Sequence, residues 1–127
     1  IEKNNSNPNL NDFIPLLKKS FNNLQKVTKF INNNISNNPN EAAGAASEYL
    51  KIFALVSIGY VWTRYAEISS NKLNDDPDGF FTAKIESGKY FMNKILPETD
   101  SLMLSVMSGA KSYNEYKDTF FDLGFKL

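Results

Sequence analysis

The sequence contains neither cysteine nor histidine. The absence of cysteine excludes a disulfide framework, a thiolate zinc site, an iron–sulfur cluster and a cysteine nucleophile within it. The absence of histidine excludes every histidine-dependent triad and nearly all transition-metal catalysis. Lys+Arg and Asp+Glu number 14 each, so the formal net charge is +0. A general nucleic-acid-binding protein needs a basic surplus on one face, and we therefore expect no nucleic-acid partner.

Glycine is scarce and scattered along the chain. None of the spacings of a phosphate-binding loop occurs among the six glycines, which are Gly44, Gly59, Gly79, Gly88, Gly109 and Gly124. Gly59 and Gly88 fall inside predicted helices, where each costs about 1 kcal/mol relative to alanine. We expect that both are there to allow a close approach between helices.

The chain has no apolar run of membrane-spanning length. The uncharged run Ile52–Thr63 covers 12 residues and is flanked by Lys51 and Arg64, whereas a transmembrane helix needs about 20. The run is apolar nearly all round, which is typical of a helix at the centre of a bundle. We predict a central buried helix and no membrane span.

Helical periodicity describes most of the sequence. The first predicted helix carries its apolar stripe at steps of three and four residues, on Ile14, Leu17, Phe21, Leu24, Thr28 and Ile31. Further helices are predicted from Asn38 to about Leu73, from Phe80 to about Leu96, where Pro97 stops or kinks the helix, and from Glu98 to Ser108. No stretch shows convincing strand periodicity, so we predict an all-α protein, an antiparallel bundle of about four helices.

Three parts are predicted along the chain. Residues 1–9 are polar and read as a linker, residues 10–111 form the bundle, and residues 112–127 are an apolar C-terminal tail that packs on the bundle or on a neighbouring domain. Residue 1 is Ile rather than Met, and we expect the sequence to be part of a longer protein.

Charged residues offer candidate sites, each with a plainer interpretation. The turn from Asn74 to Gly79 resembles a calcium loop in part, but its last ligand position is Ile85 rather than Glu, which favours an ordinary turn. Arg64, the single arginine, could grip an anion; an ion pair with Glu67 or Glu98 is the simpler alternative.

Lys84 and Lys89 are interpreted as solvated or as lying along apolar surface, with an anion-binding role left open. The chain has no assignable catalytic carboxylate pair, since many accidental pairs are expected among its acids. The residues alone therefore indicate a helical packing domain without a visible catalytic or metal site.

The second and third predicted helices resemble a known module, the C-terminal helical domain of bacterial-type acyl-CoA dehydrogenases. The resemblance covers roughly Leu10 to Ala110. It is carried by the order and spacing of Ala42-Ala43-Gly44-Ala45-Ala46, Tyr49-Leu50, Phe53, Gly59-Tyr60, Trp62, Ala66, Phe80-Phe81, Ala83-Lys84, Tyr90-Phe91, Leu96-Pro97-Glu98 and Gly109-Ala110.

This resemblance implies a cytoplasmic, homo-oligomeric flavoprotein as the parent enzyme. The parent would oxidise an acyl-CoA to a trans-2-enoyl-CoA, with FAD taking the hydride. Its catalytic glutamate, FAD site and CoA site would lie in preceding catalytic domains, so no catalytic, cofactor-binding or metal residue is assigned here.

The implied role of this chain is to brace or cover those catalytic domains. We expect the structural and interface residues to be Gly44, Phe53, Gly59, Tyr60, Trp62, Tyr90, Phe91 and Pro97. Among them, Gly44 would make close helix contacts, while Phe53, Tyr60 and Trp62 would fill the bundle and the aromatic side chains of the third helix would face a partner. Two alternatives stay open: a free-standing helical protein-interaction module without enzymatic activity, and an acyl- or lipid-binding bundle.

Overall fold

The computed structural model describes residues 7–111 and Glu115. Within that part of the chain there are five α-helices: α1 (Ile14–Asn34), α2 (Pro39–Gly44), α3 (Ala46–Ser70), α4 (Phe80–Tyr90) and α5 (Glu98–Met107). A π-helical turn at Phe91–Ile95 follows α4, and 3-10 turns lie at Pro8–Leu10 and Leu73–Asp75. The described residues form no strand, and the four longer helices confirm the predicted all-α bundle. Residues 1–6 of the predicted linker, and all of the predicted tail except Glu115, lie outside the described residues.

The chain enters the bundle through the 3-10 turn before α1. Asn7 caps this turn by accepting a hydrogen bond from the Asn9 N–H at 3.0 Å, and its amide donates to the Ser70 hydroxyl at 2.8 Å. The turn carries Leu10 and Phe13 into the core, where both side chains are fully buried. Residues at the end of the predicted linker are thus attached to the far end of α3.

The buried face of α1 is rotated relative to the predicted stripe. Ile14, Leu17 and Leu24 are buried as predicted, but Phe21 is 45% exposed, so the stripe was wrong at this position. The additional buried residues of α1 are Ser20, Asn23 and Val27. The rotation arises because α5 packs on α1 beside α3. α5 presents polar side chains to α1.

A polar link joins α1 to α5. Asn23 is buried, and its amide donates to the Asp100 carboxylate at 2.7 Å and to the Thr99 hydroxyl at 3.4 Å. Lys19 forms an ion pair with the other oxygen of Asp100. The hydrogen bond from Lys19, aided by the one from Asn23, holds the pKa of Asp100 below its usual value although partial burial opposes this. Asn23 therefore has partners despite its burial, as a buried amide requires.

The second predicted helix is divided in two at Ala45. Ala45 has φ −92° and ψ −6°, and its N–H bonds to the Ala42 carbonyl three residues back. It is buried in a cluster that includes Val106 of α5. On α2, the Glu41 carboxylate accepts a hydrogen bond from the Ala110 N–H at 2.6 Å. The break therefore lets α2 lie against the chain that leaves α5.

α3 packs against α1, α4 and α5, but only on one side. Its buried face consists of Ile52, Leu55, Val56, Gly59, Ala66 and Ser69. The prediction of a helix buried all round was wrong, because the opposite face is open and no described element covers it. This face exposes seven large apolar side chains: Leu50, Phe53, Ile58, Tyr60, Val61, Tyr65 and Ile68. Among the described residues, no helix is long and apolar enough to cross a membrane.

α4 runs into the π-helical turn rather than ending regularly at Leu96. The Leu96 N–H bonds to the Phe91 carbonyl, five residues back, at 2.9 Å. Pro97 follows at once and has no N–H to continue a helical ladder. The turn places Phe91, Met92 and Leu96 in the core, while Tyr90 points outward and is 63% exposed.

The two interior glycines accommodate side chains of neighbouring elements. A Cβ at Gly88 would lie 2.8 Å from Phe13 Cε1 and 3.3 Å from Trp62 Cε3. A Cβ at Gly59 would lie 3.3 Å from a terminal methyl of Leu96. The close approach that the sequence predicted is real at both positions, and it is tighter at Gly88.

These contacts predict opposite outcomes for two alanine substitutions. Gly88→Ala should lower the free energy of unfolding by about 1–3 kcal/mol, because overpacking against the fully buried Phe13 ring exceeds the gain of about 1 kcal/mol in helix propensity. Gly59→Ala should be neutral or stabilising, because the end of the Leu96 side chain can shift. Urea denaturation measures both, and equal effects would contradict the assignment.

Candidate interaction surface

The turn before α4 serves as a helix cap. The carboxylate of Asp76 accepts hydrogen bonds from the Phe81 N–H at 3.0 Å, the Thr82 N–H at 2.9 Å and the Thr82 hydroxyl at 2.7 Å. These are groups at the start of α4, which lack partners within the helix. Gly79 occupies the left-handed region at φ 70°, which favours glycine. The ordinary turn interpretation is therefore supported over a calcium loop.

These hydrogen bonds also shift the pKa of the Asp76 carboxyl. Desolvation raises its pKa, but the hydrogen bonds from Thr82 and from the Phe81 and Phe80 backbone outweigh this, and the pKa lies below the usual 3.8. More broadly, the described residues bring together no group of three or more acidic side chains that could hold a metal ion.

Arg64 pairs with Glu67, one of the two partners that the sequence suggested. The guanidinium donates to the Glu67 carboxylate on the next turn of α3. The other candidate, Glu98, instead pairs with Lys51. Arg64 is thus engaged within its own helix.

The lysines of α4 lie along side chains of the bundle. The Lys84 ammonium lies 5.3 Å from the centre of the Phe80 ring. Lys89 donates to Glu86 at 2.9 Å and lies 3.9 Å from Asp12. The hydrogen bond to Glu86, together with both negative charges, raises the pKa of Lys89 although some burial opposes this. These positions agree with the plainer interpretation of both lysines.

The predicted structural residues divide into buried and exposed groups. Gly59 and Phe91 lie in the core, and half-buried Trp62 packs against it. The Trp62 and Tyr65 rings meet edge to face, with their centres 5.9 Å apart. Gly44 lines a small cleft beside Val106 of α5.

The expectation that Phe53 and Tyr60 fill the bundle was wrong. Their side chains are 53% and 54% exposed, because both project from the open side of α3. Of the aromatic pair on the third predicted helix, Tyr90 is exposed and Phe91 is buried. Pro97 lines a narrow crevice between α1 and the start of α5.

One part of the open surface lies between α1 and α3, and we call it the α1–α3 groove. It has a volume of about 430 Å³ and is lined by Leu17, Phe21, Leu24, Phe53, Val56, Ser57, Tyr60 and Val61. Beyond Phe53 it continues past Tyr49 into a second opening of about 520 Å³ that reaches Asn32 and Asn33. The groove is an open apolar channel along two helices rather than an enclosed active-site pocket.

A second part lies on the other side of α3, and we call it the α3–α4 patch. It surrounds a cleft of about 370 Å³ lined by Tyr65, Ile68, Ser69, Phe80, Phe81 and Lys84. Phe80 and Phe81 meet edge to face at 5.3 Å, and the Lys72 ammonium lies 5.2 Å from the centre of the Phe81 ring. The patch therefore joins an apolar aromatic centre to two positive charges.

The fold and this surface define a helical domain with an exposed apolar face. A comparison with family models matches residues 1–117 to the family described as acetyl-CoA dehydrogenase C-terminal like. The chain belongs to this family, as its sequence resemblance predicted. A search of curated proteins found no match.

Sequence reasoning missed the open side of α3, because apolar periodicity does not reveal how many neighbours a helix has. It also missed the contact between Glu41 and the Ala110 N–H, and the polar link through Asn23. A polar side chain on the inner edge of an amphipathic helix was the available signal for Asn23.

The cap formed by Asp76 predicts a pH-dependent contribution to stability. Since folding lowers its pKa, the contribution is fully present above the unfolded value of about 3.8 and is lost as the pH falls through the lower folded value. Asp76→Asn should therefore lower Tm at pH 6, and the difference from the wild type should shrink below about pH 3.8.

Asp78→Asn is the matched control, since it removes the same charge from the same exposed turn. Thermal unfolding followed by circular dichroism from pH 2.5 to 6 measures both variants. A Tm difference for Asp76→Asn that stays constant over this range would contradict the assigned role of the carboxylate.

Proposed function

We propose that this chain is the non-catalytic C-terminal domain of an FAD-dependent acyl-CoA dehydrogenase and that it braces or covers the catalytic domains. The parent oxidises an acyl-CoA to a trans-2-enoyl-CoA and acts as a cytoplasmic homo-oligomer. The proposal is supported by family membership over residues 1–117 and by the open apolar side of α3.

The open side of α3 is the observation that carries the bracing role. Large contiguous apolar surfaces are uncommon on free-standing soluble domains and typically mark interaction sites. Aromatic residues are enriched in such interfaces, and Tyr65 and Phe80 are both exposed in the α3–α4 patch. We assign this patch to the contact with the catalytic domains, whose surface should offer acidic groups to Lys72 and Lys84.

The described residues do not fit a flavin site. Gly59 and Gly88 each face an apolar side chain, and the glycines of the described residues lack the spacing of a phosphate-binding loop. The α3–α4 cleft and the α1–α3 groove are open and mostly apolar, and the polar side chains of the opening that adjoins the groove include a single cation, Lys29. The proposal therefore places FAD and the reacting part of acyl-CoA in the catalytic domains of the parent.

The parent activity is tested on the protein encoded by the complete gene. We expect the purified protein to carry flavin absorbance that is bleached by at least one member of an acyl-CoA panel. A full-length protein that is colourless as purified and also fails to bind added FAD would contradict the dehydrogenase assignment.

The bracing role predicts the effect of one charge in the α3–α4 patch. Ile68→Glu in the full-length enzyme should accelerate proteolytic release of this domain about tenfold, because an unpaired carboxylate is costly to bury in an interface. The isolated domain should keep its Tm, since Ile68 is already 47% exposed in it.

Leu104→Glu is the matched control, because Leu104 is likewise a large apolar residue at an exposed position, but on α5. In this variant the domain should be released by the protease at the wild-type rate. Equal release rates for the wild type, Ile68→Glu and Leu104→Glu would contradict docking through the α3–α4 patch. Flavin retention and KM for the acyl-CoA, measured on the same samples, report whether docking affects the catalytic domains.

A further inference from the structure

We propose that the α1–α3 groove is the docking site of this chain's own C-terminal segment, residues 116–127. The groove is separate from the α3–α4 patch, and the proposal does not depend on the activity of the parent enzyme. It concerns a segment outside the described residues and rests on the shape of the groove, the sequence of the segment and the point where the described chain ends.

The groove has the form that receives an amphipathic helix. Leu17, Leu24 and Val56 make its floor, and Phe21 and Tyr60 stand on its two sides, half-exposed. From Tyr49 to Val61 it follows α3 for about 18 Å at the helical rise of 1.5 Å per residue. A helix laid in such a groove buries its apolar face through residues spaced by three and four.

The C-terminal sequence has this spacing. Apolar or aromatic residues separated by four, three and four positions occur at Tyr116, Phe120, Leu123 and Leu127. In a helix they would form one stripe about 17 Å long, close to the length of the groove.

The described chain leaves α5 beside the first turn of α3, where Gly109 and Glu48 line one small cleft. α5 is terminated by Gly109 at φ 79°, and the next N–H, that of Ala110, is bound to Glu41 of α2. α2 leads directly into α3, on whose first turn Tyr49 lines the near end of the groove. The 16 residues that follow Lys111 can reach along the whole groove even at helical length, about 24 Å.

Cysteine cross-linking tests the position of the segment directly, because the chain has no native cysteine. Ser57→Cys in the groove is combined in turn with Phe120→Cys, Phe121→Cys or Leu123→Cys, so that neighbouring registers are sampled. A disulfide requires Cβ atoms about 3.5–4.5 Å apart. We expect an intramolecular disulfide for at least one pair under mild oxidation, detected by mass spectrometry of the 127-residue chain.

Leu104→Cys with the same three tail cysteines is the control, and it should remain reduced. Intramolecular disulfides in the control pairs, or in no groove pair, would overturn the proposal. So would disulfide-linked dimers formed through Ser57→Cys, because they would mean that a second copy occupies the groove.

A protease measurement tests the same contact without cysteine. Phe53→Lys places a charge in the groove at an exposed position, so the bundle should stay folded by circular dichroism. Tryptic cleavage after Lys117 should then rise about tenfold over the wild type, while Leu104→Lys should leave it unchanged. The proposal requires both the cross-link and the rise in cleavage, and failure of either overturns it. Ile68→Glu, which tests the parent contact, should alter neither result.

Discussion

The contact of the Phe13 ring with Gly88 is the constraint on which one end of the bundle depends. The ring is fully buried, and no side chain at position 88 separates it from α4. Trp62 of α3 lies beside the same glycine, so α1, α3 and α4 meet at this point. A glycine inside a helix is unfavourable by about 1 kcal/mol, and the packing that it permits offsets this. The position of α4 in turn determines which residues of the π-helical turn enter the core.

The helices that pack on α3 all lie on one side of it. α1, α4 and α5 cover the face of α3 that contains Leu55 and Gly59. No described element covers the opposite face. The exposed apolar surface of the domain follows from this asymmetry. Its apolar residues exceed what three neighbouring helices can bury, and the excess forms the groove and the patch. This exposed apolar surface is the basis of the proposed contact with the catalytic domains of a parent enzyme.

Much of the fold could be predicted from the sequence because local rules act on it directly. The extents of α1 and α5 and the start of α4 follow from apolar periodicity, Pro97 and Gly109. The pair of Arg64 with Glu67 follows from their spacing on one helix. The break at Ala45 could not be predicted, because its cause is a distant contact, the packing of α2 against the chain after α5. The π-helical turn likewise depends on which side chains the core accepts.

By itself, the sequence determined the helical class, the positions of most helices and the family, since these depend on neighbours along the chain and on residue order. Only the tertiary structure decided that Phe53 and Tyr60 are exposed while Asn23 is buried. All three residues lie on amphipathic or apolar helices, and their burial depends on how many other helices arrive and from which side. That number is a property of the packed bundle, because the sequence of a single helix does not specify which of its apolar faces other helices will cover.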